Sequence, residues 1–145
     1  KSKGTVHWSI TALIKNDSLS KALLDGPYKK PALVPATPWL DNKAPAAPVA
    51  KTSLMGESVN VSWNHPDQND VFRWVVHYKY GNNWDYRVLN AADRSLTLTQ
   101  KVMLPLTAAQ KAAGSTSSTS ISLNRVVVTA VDRTGNESIP FGADL

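Results

Sequence analysis

Apolar and polar residues alternate in several stretches of the last two thirds of the chain. Residues 59–63 alternate in this way, and the longest clean run extends over residues 72–80. A Gly-Asn-Asn segment at residues 81–83 interrupts that run, and the alternation resumes over residues 84–88. A period of two is typical of strands with one buried face, so residues 72–88 predict a β-hairpin closed by a tight turn.

Further segments complete a strand-rich pattern. Residues 95–99 and 120–123 are short and rich in β-forming side chains, whereas residues 125–132 form a nearly continuous valine-rich run that suits a central strand covered on both faces. Residues 106–113 favour two helical turns instead. Six or seven short strands within about 100 residues predict an Ig-like β-sandwich over residues 46–145.

The first 45 residues follow a different pattern and predict an arm of strand, helix and extended chain. Residues 4–10 are β-rich, and Asp17 or Ser18 can cap a short helix that ends before Gly26. The apolar face of this helix comprises Leu19, Ala22 and Leu23. Because one strand and one short helix cannot bury their own apolar faces, we expect this part to pack on another structure.

A proline-rich connector lies between the two parts. Five prolines occur between Pro31 and Pro48, and proline disfavours both helix and central strand, so we expect extended chain. Trp39 and Leu40 stand within it. A fully solvated linker does not need such a pair, so we expect Trp39 to dock on a neighbouring surface.

Composition excludes several classes of protein. No apolar run approaches the roughly 20 residues that a membrane-spanning helix needs. The chain has no cysteine, so disulfides, thiolate nucleophiles and cysteine-ligated metals are excluded. It starts at Lys1 without a recognisable targeting segment, which we interpret as removal of such a segment or excision from a longer protein.

The net charge of +5 does not predict a nucleic-acid partner. Residues 1–45 carry seven basic and three acidic side chains, against nine and eight in residues 46–145. The basic residues of the first part are spread along the chain without the stripe that phosphate binding requires. We therefore expect no nucleic-acid binding.

The titratable residues do not form a recognisable catalytic or metal motif. Glycoside hydrolysis usually needs two facing carboxyl groups, but the acidic residues fall mostly in predicted turns. We expect Asp132 to bind backbone amides of the turn at Gly135-Asn136. The three histidines, His7, His65 and His77, fall in three different elements without metal-ligand spacing. We expect no catalytic residue, metal or cofactor in this chain.

Two segments of the predicted sandwich carry a family resemblance. Residues 59–63 read Val-Asn-Val-Ser-Trp, and residues 126–132 read Val-Val-Val-Thr-Ala-Val-Asp before a Gly-Asn turn. These resemble the second and sixth strands of fibronectin type III domains. Val126 stands where that family usually has a tyrosine, and residues 104–120 are longer than a typical connection. The resemblance implies a mainly β, fibronectin type III-like sandwich behind the N-terminal arm.

The arm carries a second resemblance. Residues 4–9 read Gly-Thr-Val-His-Trp-Ser, and residues 32–41 end in Pro-Trp-Leu-Asp. This order is similar to the segment that leaves the (β/α) barrel of bacterial family-10-like glycosyl hydrolases, many of them lipoproteins, in which a fibronectin type III-like domain follows the barrel. The resemblance implies that residues 1–45 are the tail of a missing barrel, that this barrel is a partner, and that the protein is extracytoplasmic.

Aromatic side chains are the candidate carbohydrate-binding residues, because flat rings stack on the C–H faces of sugars. Five rings on the predicted hairpin share one period-two phase, so we expect one face to hold all of them: Trp74, Tyr78, Tyr80, Trp84 and Tyr86. Core packing is the favoured interpretation of this set. The candidates for exposure to a glycan are Trp84, Tyr80 and Tyr86, together with His7 and Trp8 at the end of the predicted barrel strand.

The favoured function is therefore a non-catalytic accessory domain of a secreted glycosyl hydrolase that packs against the catalytic barrel. Two alternatives stay open: a carbohydrate-binding module that presents polysaccharide, and a protein–protein interaction module. The arm could also pair with another molecule's sheet edge and form an oligomer.

Overall fold

The computed structural model describes residues 10–105, 112 and 118–145. It divides the chain into two compact units, Lys1–Pro35 and Ala36–Leu145, so the connector from residue 36 onward is grouped with the sandwich. Of the strand predicted at residues 4–10, residues 4–9 with His7 and Trp8 lie outside the described residues, and Ile10 has helical instead of extended backbone angles. Almost all of the helical segment predicted at residues 106–113 also lies outside the described residues.

From residue 10 onward, the first unit forms two short helices, α1 (Thr11–Ile14) and α2 (Asp17–Asp25). The cap of α2 is Asn16, whose side-chain Oδ1 accepts a 2.9 Å hydrogen bond from the Leu19 amide. The prediction of Asp17 or Ser18 as the cap was therefore wrong: Asn16 makes the same bond one position earlier. Neither helix buries a residue within this chain.

The described residues of the second unit form eight strands and a short 3₁₀ helix, Gln68–Asp70. The strands are β1 (Val49–Met55), β2 (Ser58–Asn64), β3 (Arg73–Tyr80), β4 (Asn83–Asn90), β5 (Ser95–Thr99), β6 (Lys101–Leu104), β7 (Thr119–Val131) and β8 (Phe141–Asp144).

Two antiparallel sheets form the body of this unit. One has the order β1-β2-β5 and the other the order β4-β3-β7-β6, with β8 also paired to β7. β6 and β8 use different halves of the long β7, pairing with residues 119–122 and 125–128. The predicted mainly β, fibronectin type III-like sandwich is confirmed.

The core lies between the sheets. β2 contributes Val59, Val61 and Trp63, while β3 and β7 contribute a facing set of buried residues: Trp74, Val76, Tyr78, Val126, Val128 and Ala130. The rings of Trp63 and Trp74 lie 6.0 Å apart across the interface between the sheets. Each indole N–H donates to a backbone carbonyl of the loop after β4, Trp63 to Asp93 and Trp74 to Ala91, so the rings are buried without losing hydrogen bonds.

Candidate functional surfaces

The β3–β4 register divides the aromatic residues of the hairpin between two faces. Tyr80 pairs with Asn83, Lys79 with Trp84, and His77 with Tyr86. Because directly paired residues share a face, Trp84 and Tyr86 lie on the face opposite to Tyr80. The prediction that all five rings share one face was wrong, since the two-residue turn pairs each even-numbered residue of β3 with an odd-numbered residue of β4.

We call the side of the hairpin that points away from the core the outer face, defined here by His77, Lys79, Trp84 and Tyr86. The indole of Trp84 is 52% exposed, and the Lys79 ammonium lies 5.9 Å from its ring centroid. The rings of His77 and Tyr86 lie 6.0 Å apart in a tilted arrangement. The outer face therefore combines an accessible flat ring with an adjacent cation, an arrangement within the range of cation–π attraction.

Tyr80 has a structural environment instead. Its ring packs against the core cluster, and its hydroxyl donates a 2.5 Å hydrogen bond to the Thr99 carbonyl. Since Tyr80 is in β3 and Thr99 in β5, this bond joins the two sheets. Burial raises the pKa of the Tyr80 hydroxyl, and the neighbouring Tyr78 raises it further. Tyr80 therefore does not share a surface with Trp84.

Asp132 organises the turn after β7. The carboxylate is 5% exposed and accepts hydrogen bonds from the amide and hydroxyl of Thr134, at 2.8 and 2.9 Å, and from the amide and side chain of Asn136, at 2.8 and 2.9 Å. Burial alone raises the pKa of Asp132, but the bonds from Asn136 and Thr134 outweigh it and hold the pKa below its ordinary value. Gly135 completes the turn with a φ of 84°. The predicted bond to this turn is confirmed at Asn136.

The connector is bonded to the Asp132 turn. The amide and hydroxyl of Thr37 both donate to the Thr134 carbonyl, at 2.9 and 3.0 Å, and the Asn136 side chain donates to the Asp41 carbonyl at 3.1 Å. Trp39 and Leu40 lie between these attachment points and are 77% and 73% exposed. The segment Thr37–Asp41, called the connector turn below, therefore docks through polar groups. The Trp39 ring does not dock on the described part of this chain, so its docking on another neighbouring surface stays a prediction.

The other candidate acid, base and metal-ligating groups hold local structure. His65 is buried, and both of its ring nitrogens lie within hydrogen-bond distance of backbone carbonyl oxygens, Nε2 at 2.8 Å from Ala46 and Nδ1 at 2.6 Å from Asp67. Glu137 accepts a 2.6 Å hydrogen bond from the Thr129 hydroxyl. Among the described residues there is no group of three His, Cys, Asp or Glu side chains placed to hold a metal ion. Nor does any helix in the described ranges have the length and apolarity to span a membrane.

The chain is distantly homologous to a glycosyl hydrolase. It is 37% identical over 108 residues to glycosyl hydrolase YngK of Bacillus subtilis (strain 168). The alignment covers 68% of this chain and 19% of that protein, so the chain spans about a fifth of the length of this curated relative. No family model matches the chain. The resemblance to glycosyl hydrolases is thus confirmed as distant homology, whereas the family-10-like assignment stays a prediction.

Solved structures with partial similarity include two of different origin. The spore cortex lytic enzyme SleM of Clostridium perfringens is 16% identical with a TM-score of 0.45, covering 70% of this chain and 28% of that one. An FN3 domain of human collagen XX is 16% identical with a TM-score of 0.43, covering 79% of this chain and 100% of that one.

Proposed function

We propose that this chain is a non-catalytic accessory part of a longer glycosyl hydrolase and packs against its catalytic barrel. The observation that carries the proposal is the homology to one segment of a glycosyl hydrolase, because the alignment leaves about four fifths of that relative for other functions. The N-terminal resemblance extends the proposal to a family-10-like, extracytoplasmic protein, lipid-anchored in some members.

The roles of the carboxylates support a non-catalytic assignment. A general acid in a glycosidase needs a carboxyl group whose pKa is raised, and a second carboxyl group must face it across the substrate. Asp132 is the buried carboxylate of the sandwich, and its hydrogen bonds hold its pKa below the ordinary value. Asp132 accepts hydrogen bonds from its own turn, and Glu137 accepts one from Thr129 of β7, which suits a structural role for both.

A reducing-sugar assay on two proteins tests this assignment. The natural full-length protein and the 145-residue chain are incubated with the same panel of xylan, β-glucan, polygalacturonate and peptidoglycan. We expect release of sugar ends by the full-length protein and none by the chain alone. Hydrolysis by the isolated chain, or a full-length protein inactive on every glycan of the panel, would contradict the proposal.

A second candidate function, carbohydrate binding, is favoured by the outer face. Trp84 offers an accessible ring, and the Lys79 cation beside it can bind a hydroxyl or a carboxylate of a sugar. The candidates His7 and Trp8 lie outside the described residues and stay a prediction, as does binding by Tyr86.

Affinity electrophoresis with neutral and acidic polysaccharide in the gel tests this candidate. We expect the wild-type chain to be retarded and Trp84→Ala to bind about tenfold more weakly, as loss of a stacked ring predicts. Trp39→Ala is the matched control, because it removes an exposed indole from a different surface. Equal retardation of the Trp84→Ala variant and the wild type would exclude the outer face as the binding site.

A further inference from the structure

The structure points to a specific docking element for the rest of the protein. We infer that Trp39 and Leu40 are the anchor residues by which the catalytic domain of the longer protein binds this sandwich. The connector turn holds both residues in a fixed position. The inference rests on the proposed function, because it names the contact surface that the accessory role requires.

Trp39 and Leu40 are both exposed to solvent in this chain. Trp39 is the most exposed large hydrophobic side chain in the described part of the chain, and its neighbour Leu40 is 73% exposed. Tryptophan is enriched among the few residues that dominate binding energy at protein interfaces. Two adjacent apolar side chains that lie outside the core of their own unit therefore form a candidate binding contact.

Hydrogen bonds hold the backbone of the connector turn in one conformation. Thr37 is held by two hydrogen bonds to Thr134, Asp41 by one from Asn136, and the Leu40 amide donates to the Thr37 carbonyl at 2.9 Å. The Asp132 carboxylate in turn accepts hydrogen bonds from the amides of Thr134 and Asn136 and holds both residues in place. An anchor whose backbone is already ordered loses little conformational entropy on binding, so this arrangement favours tight association.

The identity of the occupant follows from position and chemistry. The connector turn lies directly before the sandwich in sequence, so anything N-terminal to it in a longer chain is covalently close, and most of the homologous glycosyl hydrolase lies outside the aligned segment. A glycan is the less suitable occupant, because sugar sites place polar side chains beside the ring, whereas the direct neighbours of Trp39 in the sequence are Pro38 and Leu40. We therefore assign the surface to the catalytic domain of the same chain.

The test compares the natural full-length protein with the 145-residue chain by limited proteolysis across residues 42–48 and by acrylamide quenching of tryptophan. In the full-length protein we expect Trp39 to be protected from quencher and the connector to resist cleavage. The double variant Trp39→Ala/Leu40→Ala should accelerate cleavage about 30-fold, the effect of losing one interface hot spot. In the isolated chain the same change should leave the sandwich's melting temperature unaltered, because both side chains are exposed there.

The controls separate failure of this inference from failure of the proposed function. Trp84→Ala removes the second exposed indole of the described residues and should leave connector cleavage unchanged, and Trp39→Phe should retain most of the protection. If the connector is protected in the full-length protein but Trp39→Ala/Leu40→Ala keeps that protection, the inference is wrong and the accessory role stands. If the connector is cleaved equally in the full-length protein and the isolated chain, the packing against a catalytic domain is itself contradicted.

Discussion

The first unit and the sandwich use the same kinds of apolar residue with opposite results. The described part of the first unit, residues 10–35, has no buried residue and exposes six large hydrophobics: Ile10, Ile14, Leu19, Leu24, Tyr28 and Val34. The sandwich buries a continuous core built from both of its sheets. The difference shows that an amphipathic segment buries its apolar face only where another apolar surface packs against it. Two short helices do not supply enough of that surface to each other.

The largest expected effect is a difference in the free energy of unfolding between a substitution in the sandwich core and one in the first unit. Trp74→Ala should lower the free energy of unfolding by about 3–5 kcal/mol, because the ring is fully buried against Trp63. Leu24→Ala in α2 should change it by less than about 0.5 kcal/mol, because that side chain is exposed. Urea unfolding of the 145-residue chain, followed by tryptophan fluorescence and circular dichroism, measures both. Comparable losses would contradict the proposed division of the chain.

The next effect concerns the Asp132 turn. Asp132→Asn should destabilise the sandwich by about 2 kcal/mol at pH 7, because hydrogen bonds to a charged group are lost and the new amide N–H₂ competes with the donors around it. Asp144→Asn is the matched control, since the Asp144 side chain is 79% exposed beside Arg125. Urea midpoints at constant pH measure both changes, and equal effects would show that the turn network adds no stability.

The same network predicts an acid dependence. The pKa of Asp132 is lowered in the folded state, so its contribution is fully present above the unfolded value of about 3.9 and is lost as the pH falls through the folded value. The difference between the wild type and Asp132→Asn should therefore shrink in urea titrations carried out below about pH 4. A difference that is constant down to pH 2 would mean that the carboxylate charge is not what stabilises the turn.

The smallest effect tests the bond between the sheets. Tyr80→Phe removes the hydrogen bond to Thr99 and should cost about 1 kcal/mol. Because the folded pKa of Tyr80 is raised, the wild type should also lose stability as the pH rises above about 10, and the phenylalanine variant should lose less. Thermal unfolding between pH 8 and 11 checks both parts. Identical alkaline profiles would contradict the assigned environment of Tyr80.

The sequence predicted the sandwich well because strand burial depends on a local pattern. The alternation at residues 59–63 and 72–80 predicted strands there, the favoured core packing of Trp74 is confirmed, and the Asp132 bond follows from a turn motif only five residues long. Such features need no knowledge of distant contacts.

Other features depend on how distant segments meet, and periodicity alone could not supply them. Trp84 and Tyr86 lie on the face opposite to the predicted one. The two-residue turn, and not the spacing along the chain, determines which residues of β3 and β4 pair. The attachment of Thr37 to Thr134 joins residues 97 positions apart. Tyr80 and Thr99 likewise belong to different sheets, so only the tertiary structure reveals their bond.

Hydrogen–deuterium exchange of the full-length protein and of the 145-residue chain tests the central contrast most directly. In both proteins the amides of β2, β3 and β7 should exchange slowly, because these strands surround the complete core. Residues 10–35 should exchange rapidly in the isolated chain and slowly in the full-length protein, where we propose that a catalytic domain covers them. Equal exchange of residues 10–35 in the two proteins would contradict the account.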